Sequence, residues 1–225
     1  MRENPLFCGY SEINRVGMLL ISSDRGMVGA YDANVLGAAN RYIAAHKERV
    51  QVITIGKVGR TAMLRQGVPI HAEFTNIGEN VEIGELTPVA RVLLDGFSSH
   101  QFDQVVIAYT QFRSGVRLKP TIKQLLPICP ETTPDARTYL YEPSPSELLM
   151  ALLPRLVGFQ IYQALLESLA AENTSRMVAM HAATQNADDI IDGLTVSYNK
   201  ARQQAITSEI LDILGGTSTL NAPQE

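Results

Sequence analysis

Pro154–Leu214 (PRLVGFQIYQALLESLAAENTSRMVAMHAATQNADDIIDGLTVSYNKARQQAITSEILDIL) contains no proline after its first residue, and its only glycines are Gly158 and Gly193. The stretch therefore predicts one very long helix. At about 1.5 Å per residue it would reach about 90 Å, against about 30 Å for a sheet that a chain of this size can build. Leu166, Ala170, Asn173, Met177, Met180, Thr184, Ala187, Ile191, Leu194, Tyr198, Ala201 and Ala205 recur at alternating spacings of four and three. That is a heptad seam, the pattern of a helix built to lie against another helix. A lone helix carrying such a strip is a poor state in water, so the seam calls for a partner helix from another chain or another segment.

The residues before it read as an α/β domain. Val16–Ser22 and Val50–Ile55 are continuous apolar runs of the kind buried on both faces of a sheet. A weaker strand is expected at Ile70–Phe74, and longer ones at Phe102–Phe112 and Val116–Leu126, turning at Ser114-Gly115. Thr138–Tyr141 is expected to close the sheet. Helices are expected at Ala33–Lys47, Lys57–Gln66 and Gly84–Ser99. Strands alternating with helices imply a mostly parallel sheet with helices packed on it. Ser144-Pro145-Ser146-Glu147 has the form of a capping box with proline at the first helical position. It sets the expected division at 1–143 for the α/β domain and 144–225 for the long helix. Pro154 should kink or restart that helix, and Gly215-Gly216 should end it.

Composition removes several function classes. A net charge of -4 lacks the basic excess that phosphate backbones require, so nucleic acid is not an expected partner. No apolar run approaches the ~20 residues of a membrane span. Residues 1–10 lack the basic and apolar regions of a secretory signal. Cys8 and Cys129 are far apart, as are His46, His71, His100 and His181, so neither a metal site nor a cofactor is expected.

Some patterns invite a sharper chemistry. Asp24-Arg-Gly-Met-Val-Gly29 follows a strand and precedes a helix, where free N–H groups could hold a phosphate. Its spacing is not GxGxxG and no Walker lysine follows, so the glycines read as a tight turn, with Asp24 and Arg25 as local capping and pairing groups. Ser22, Ser23 and Asp24 lack a nucleophile elbow. Asp188, Asp189 and Asp192 read as a solvated face, and Met177 with Met180 as seam packing.

Two stretches together carry a family resemblance. Leu20-Ile-Ser-Ser-Asp-Arg-Gly-Met-Val-Gly-Ala-Tyr-Asp-Ala-Asn34 resembles the strand-turn segment TSDRGLCGGLNSN of the gamma subunit of the F-type ATP synthase. Glu172–Met180, Asn186-Ala187 and Tyr198–Ile210 resemble that family's C-terminal helix, with Glu142-Pro-Ser-Pro145 between. The resemblance covers nearly the whole chain. It implies a Rossmann-like foot domain and a coiled-coil stalk inside an alpha-beta hexamer. The epsilon subunit and the membrane c-ring would lie at the foot. Rotation would couple proton flow to ATP synthesis, with nucleotides held on alpha and beta.

The role so implied is mechanical and not enzymatic, with the chain peripheral on the cytoplasmic face of an energy-transducing plasma membrane. Arg202, Gln203 and Thr207 match the upper shaft that contacts the beta-subunit catch region; Arg176, Met177 and Met180 match the lower shaft. The family opens with a heptad-patterned helix that here would precede Asn4-Pro5-Leu6. Without that helix the expectation is a sound foot domain and a frayed, association-prone shaft. The alternatives are a small α/β nucleotide- or phosphate-binding enzyme, or an adaptor that binds only epsilon and the ring. The cysteine pair of the chloroplast members is absent, so thiol regulation is not expected.

Overall fold

The computed structural model describes residues 9–10, 12–46, 49–78, 81–114, 117–128, 142 and 144–220. The expected strand at Thr138–Tyr141 lies outside them, as do Cys8, Cys129 and the Pro130–Pro134 loop. Five strands form one sheet: β1 (Arg15–Ile21), β2 (Arg49–Ile55), β3 (Ile70–Phe74), β4 (Gln104–Ser114) and β5 (Arg117–Leu126). Their order is β3-β2-β1-β4-β5. The first four are mutually parallel and β5 runs antiparallel to β4. Helices α1 (Tyr31–Ala45), α2 (Lys57–Arg65) and α3 (Thr87–Ser98) connect the strands, with a 3-10 turn at Ile83–Leu86 before α3; α4 (Pro145–Leu220) follows the sheet.

The strands run where the apolar runs place them because both sheet faces are covered. Side chains alternate across a strand, so Leu19 and Ile21 point one way and Val16, Met18 and Leu20 the other. The first face packs with Ile53, Ile107, Val89, Leu93 and Phe97, and with Val157, Ile161 and Leu165 of α4. The second packs with Val52, Val106, Val35, Ala39 and Met63, which belong to the sheet, α1 and α2. Each fully buried Leu, Ile or Val contributes about 1.5–3 kcal/mol relative to exposure.

By packing, the chain forms two compact units, Met1–Val178 and Ala179–Glu225. The 143/144 division marks where α4 begins; the 178/179 division marks where its side chains stop packing on the rest of the first unit. Within the first unit, Leu153, Val157, Ile161, Ala164, Leu165, Ser168 and Ala171 of α4 are buried at helical spacing. In the second unit every residue from His181 to Leu214 is exposed.

Several helix boundaries differ: α1 begins at Tyr31 and not Ala33, α3 begins at Thr87 and not Gly84, and α4 runs on where a stop was expected. The helix continues across Pro154 without a restart, although this proline has no N–H to offer the carbonyl of Met150. Leu153 and Val157, buried on either side, hold the turn in place. The helix also passes through Gly215-Gly216 to Leu220. Glycine ends a helix by adopting a left-handed cap, and without that cap it weakens the helix by only about 1 kcal/mol per residue.

Candidate interaction surface on the long helix

The loop after β1 is where the sheet meets α4, and the chain's own polar groups fill it. Ser23 donates its N–H to Asp32 Oδ1 at 3.0 Å and its hydroxyl to Asp32 Oδ2 at 2.5 Å, both buried. The Asp32 carboxylate, in the first turn of α1, is thus held inward on Ser23. Asp24 accepts from the N–H of Lys57 at 3.1 Å and of Asn76 at 2.9 Å, so it caps α2 and pins the loop after β3. Asp24 is therefore a capping group, but for a helix and a loop distant in sequence rather than for its own turn as the sequence suggested.

Close backbone approach explains the glycine that begins α2. Gly56 has φ of +99°, and a Cβ there would lie 2.2 Å from the carbonyl oxygen of Ser22. Any side chain at this position would push β1 and β2 apart at their carboxyl ends. At the tip of the preceding loop, Met27 holds φ of +63° and is 77% exposed.

Helix α4 is fastened to this loop by hydroxyls. Tyr31 and Ser168 share a buried hydrogen bond of 2.7 Å, and Ser168 Oγ also accepts from the Thr110 N–H at 3.4 Å. Ser175 donates to the Val28 carbonyl at 2.6 Å. Val28, Tyr31 and Ala171 close a small apolar cluster around these bonds. Burial pushes the Tyr31 hydroxyl far above its usual range; the bond to Ser168 opposes that shift and the nearby Glu172 carboxylate adds to it.

Beside this fastening lies a cleft of about 680 Å³, lined in part by Asp24, Arg25, Lys57, Asn76, Glu172 and Arg176. Arg176 pairs with Glu172 one turn earlier and donates to Asn173 Oδ1 at 2.6 Å. Burial raises the Glu172 carboxyl above its usual 4.5, and the Arg176 guanidinium pulls it back. Lys57 donates to Asn76 Oδ1 at 2.9 Å. Glu172 and Arg176 thus pair with each other within the cleft.

The structure places the six proposed contact residues in two sets on α4. Arg176 is half-buried beside the cleft, and Met177 and Met180 are exposed. Arg202, Gln203 and Thr207 form an exposed group one turn long, with the Thr207 hydroxyl returned to the Gln203 carbonyl at 2.8 Å. The two sets are more than twenty residues apart and are not brought together. All twelve seam positions from Leu166 to Ala205 are exposed. Thr184 and Thr195 likewise turn their hydroxyls to the carbonyls of Met180 and Ile191. Asp188, Asp189 and Asp192 are exposed, and no group of side chains suited to a metal occurs among the described residues.

Sequence reading missed Tyr31, Asp32, Ser168 and Ser175. Ser168 and Ser175 are seven residues apart, and small hydroxyls repeating among apolar neighbours on the inner face of a helix are the one available signal.

The comparisons with known proteins agree with this architecture. The family model described as ATP synthase matches residues 2–220. The ATP synthase gamma chain of Roseiflexus castenholzii is 41% identical over 225 residues, covering 98% of this chain and 78% of that protein. The gamma chain of Dehalococcoides mccartyi is also 41% identical, over 210 residues, covering 92% of this chain and 74% of its own length. A chain of the Euglena gracilis mitochondrial ATP synthase superposes with a TM-score of 0.73 at 17% identity, covering 95% of this chain and 76% of the other. A chain of the Tetrahymena thermophila mitochondrial ATP synthase central stalk gives 0.62 at 21% identity, covering 78% and 79%. With a model match over residues 2–220 and relatives 41% identical over nearly its whole length, this chain belongs to the ATP synthase gamma chain family.

Proposed function

We propose that the chain serves as the central-stalk rotor of an F-type ATP synthase. It would turn within the alpha-beta hexamer and couple proton flow through the membrane c-ring to ATP synthesis. The observation that supports this most is the seam on α4, exposed at every one of its twelve positions. Such a face is completed by a second helix, and the pair makes a shaft stiff enough to carry torque. The chain is non-catalytic in this role, and nucleotides bind on alpha and beta.

Arg202, Gln203 and Thr207 are assigned to beta-subunit contacts, and Arg176, Met177 and Met180 to the lower shaft. Residues 1–143 form the foot that meets epsilon and the ring, with the chain peripheral on the cytoplasmic face of the membrane. No helix among the described residues is long and apolar enough to cross a membrane. Exposed polar contacts worth about 0–1 kcal/mol each suit a shaft whose contacts form and break at every step.

Co-expression with alpha and beta subunits, followed by size-exclusion chromatography and an ATPase assay, tests the proposal. A co-eluting complex whose ATPase falls with Arg202→Ala supports it. A complex indifferent to Arg202→Ala contradicts the contact assignment, and absence of any complex contradicts the rotor.

A further inference from the structure

We propose that Glu172 and Asn173 are positioning residues: together they fix the Arg176 guanidinium in one pose, with donors left over for a carboxylate of the subunit that surrounds the stalk. The choice of partner rests on the rotor reading; the pose rests on α4 alone.

Arg176 lies one turn on from both residues, and positions three and four apart share a helix face. Its Nη2 donates to Glu172 Oε1, and its Nη1 donates to Asn173 Oδ1 at 2.6 Å. Both terminal nitrogens of one planar group are therefore held at once. That fixes the plane of the guanidinium as well as the direction of its stem, which one ion pair alone leaves free to turn.

A guanidinium carries five N–H donors, and these two bonds use two of them. The remaining donors meet no acceptor among the described residues. The Arg176 side chain is 28% exposed, so they can be reached from outside the chain. Planar donors in a fixed fork pair best with a carboxylate or a phosphate, and on a protein surface that acceptor is Asp or Glu.

Stability does not account for Glu172. Its side chain is only 12% exposed, and burial together with the nearby Asp24 and Asp32 acts against its ionised form. A buried ion pair is poor support for a helix. What a carboxylate does offer is an acceptor strong enough to hold a guanidinium that a partner also pulls on. The neighbouring polar groups are committed elsewhere: Asp24 to the N–H groups of Lys57 and Asn76, Asp32 to Ser23, and Ser175 to the Val28 carbonyl. Glu172 and Asn173 therefore set the pose.

Two measurements test this, with circular dichroism to show that each variant keeps its helix. In the chain alone, ¹⁵N spectra should show separate Nη1 and Nη2 signals for Arg176, assigned by their loss in Arg176→Lys. Glu172→Ala and Asn173→Ala should each merge the two signals through faster rotation, and Glu172→Gln, which keeps an acceptor, should separate them again. Merged signals in the parent chain overturn the pose, whatever the complex does.

In the complex with alpha and beta subunits, ATPase activity is read for Glu172→Ala, Arg176→Ala and the double variant. Glu172→Ala should lower it about threefold, the scale of leaving one long side chain to be ordered on contact. The double variant should match Arg176→Ala, because Glu172 acts only through Arg176. Losses that multiply in the double variant overturn the proposal, since Glu172 would then act on the helix and not on the guanidinium. A complex indifferent to Arg176→Ala overturns the partner carboxylate. Failure to form any complex contradicts the rotor reading and the partner with it, while the Nη spectra judge the pose independently.

Discussion

Residues 153–171 and 181–214 belong to one helix, and both carry apolar side chains at helical spacing. In the first stretch Leu153 is buried, and Val157, Ile161 and Leu165 are buried against the sheet. In the second, Ile191, Leu194 and Tyr198 are exposed, the last two at 64% and 67%. Periodicity shows that a helix has a face to cover; it does not show what covers it. The first stretch owes its order to tertiary packing. The second is exposed throughout, and an exposed helix is sustained poorly in water.

The largest expected effects break this comparison directly. Ile161→Ala removes a fully buried side chain and should destabilise the Met1–Val178 unit by about 2–5 kcal/mol in urea denaturation. Val196→Ala, at an exposed position off the seam, should change stability by less than about 0.5 kcal/mol. Equal effects at the two sites would mean that the second stretch is packed as well.

A smaller effect sharpens how α4 is fastened. Tyr31→Phe removes the bond to Ser168 while keeping the ring in its apolar cluster. The expected loss is about 1–2 kcal/mol, since a buried hydroxyl loses a partner. Thermal unfolding of the variant beside the parent chain measures it, and no change in midpoint would show that the bond does not fasten the helix.

The smallest effect is a pH dependence. Burial holds the folded Glu172 carboxyl above its unfolded value, with Arg176 opposing. The native state therefore keeps a proton that the unfolded chain releases. Its contribution is full below the unfolded value of 4.5 and is lost as pH rises through the raised folded value. Relative to Glu172→Gln, the parent chain should lose stability across that window in urea titrations. A difference that grows with pH would show that the pair with Arg176 outweighs burial.

Much of the architecture was legible because local pattern and global packing agree. Ile70–Phe74 was read with its observed bounds, and the apolar runs of β1 and β2 were found within a residue, since strands covered on both faces have little freedom in composition. One half of the capping box is present, the Ser144 hydroxyl accepting from the Glu147 N–H at 3.3 Å. The helix end was misread at Gly215-Gly216 because glycine permits a stop without imposing one.

The fastening of α4 was not legible for a different reason. Tyr31 and Ser168 lie 137 residues apart, and neither residue type announces a partner at that distance. Asp32 precedes the helix expected at Ala33–Lys47, and only the fold shows it in the first turn of α1 and turned inward onto Ser23. The seam was legible as a face and illegible as an interface.

Amide hydrogen exchange across residues 181–214 is the most direct test of the central claim, that this stretch depends on an outside partner for its order. It should be measured at a concentration low enough to keep the chain monomeric, and again after assembly with alpha and beta subunits. The account predicts rapid exchange in the free chain, while residues 153–171 stay protected, and strong protection of both stretches in the complex. Strong protection of 181–214 in the free monomer, unchanged on assembly, would contradict it.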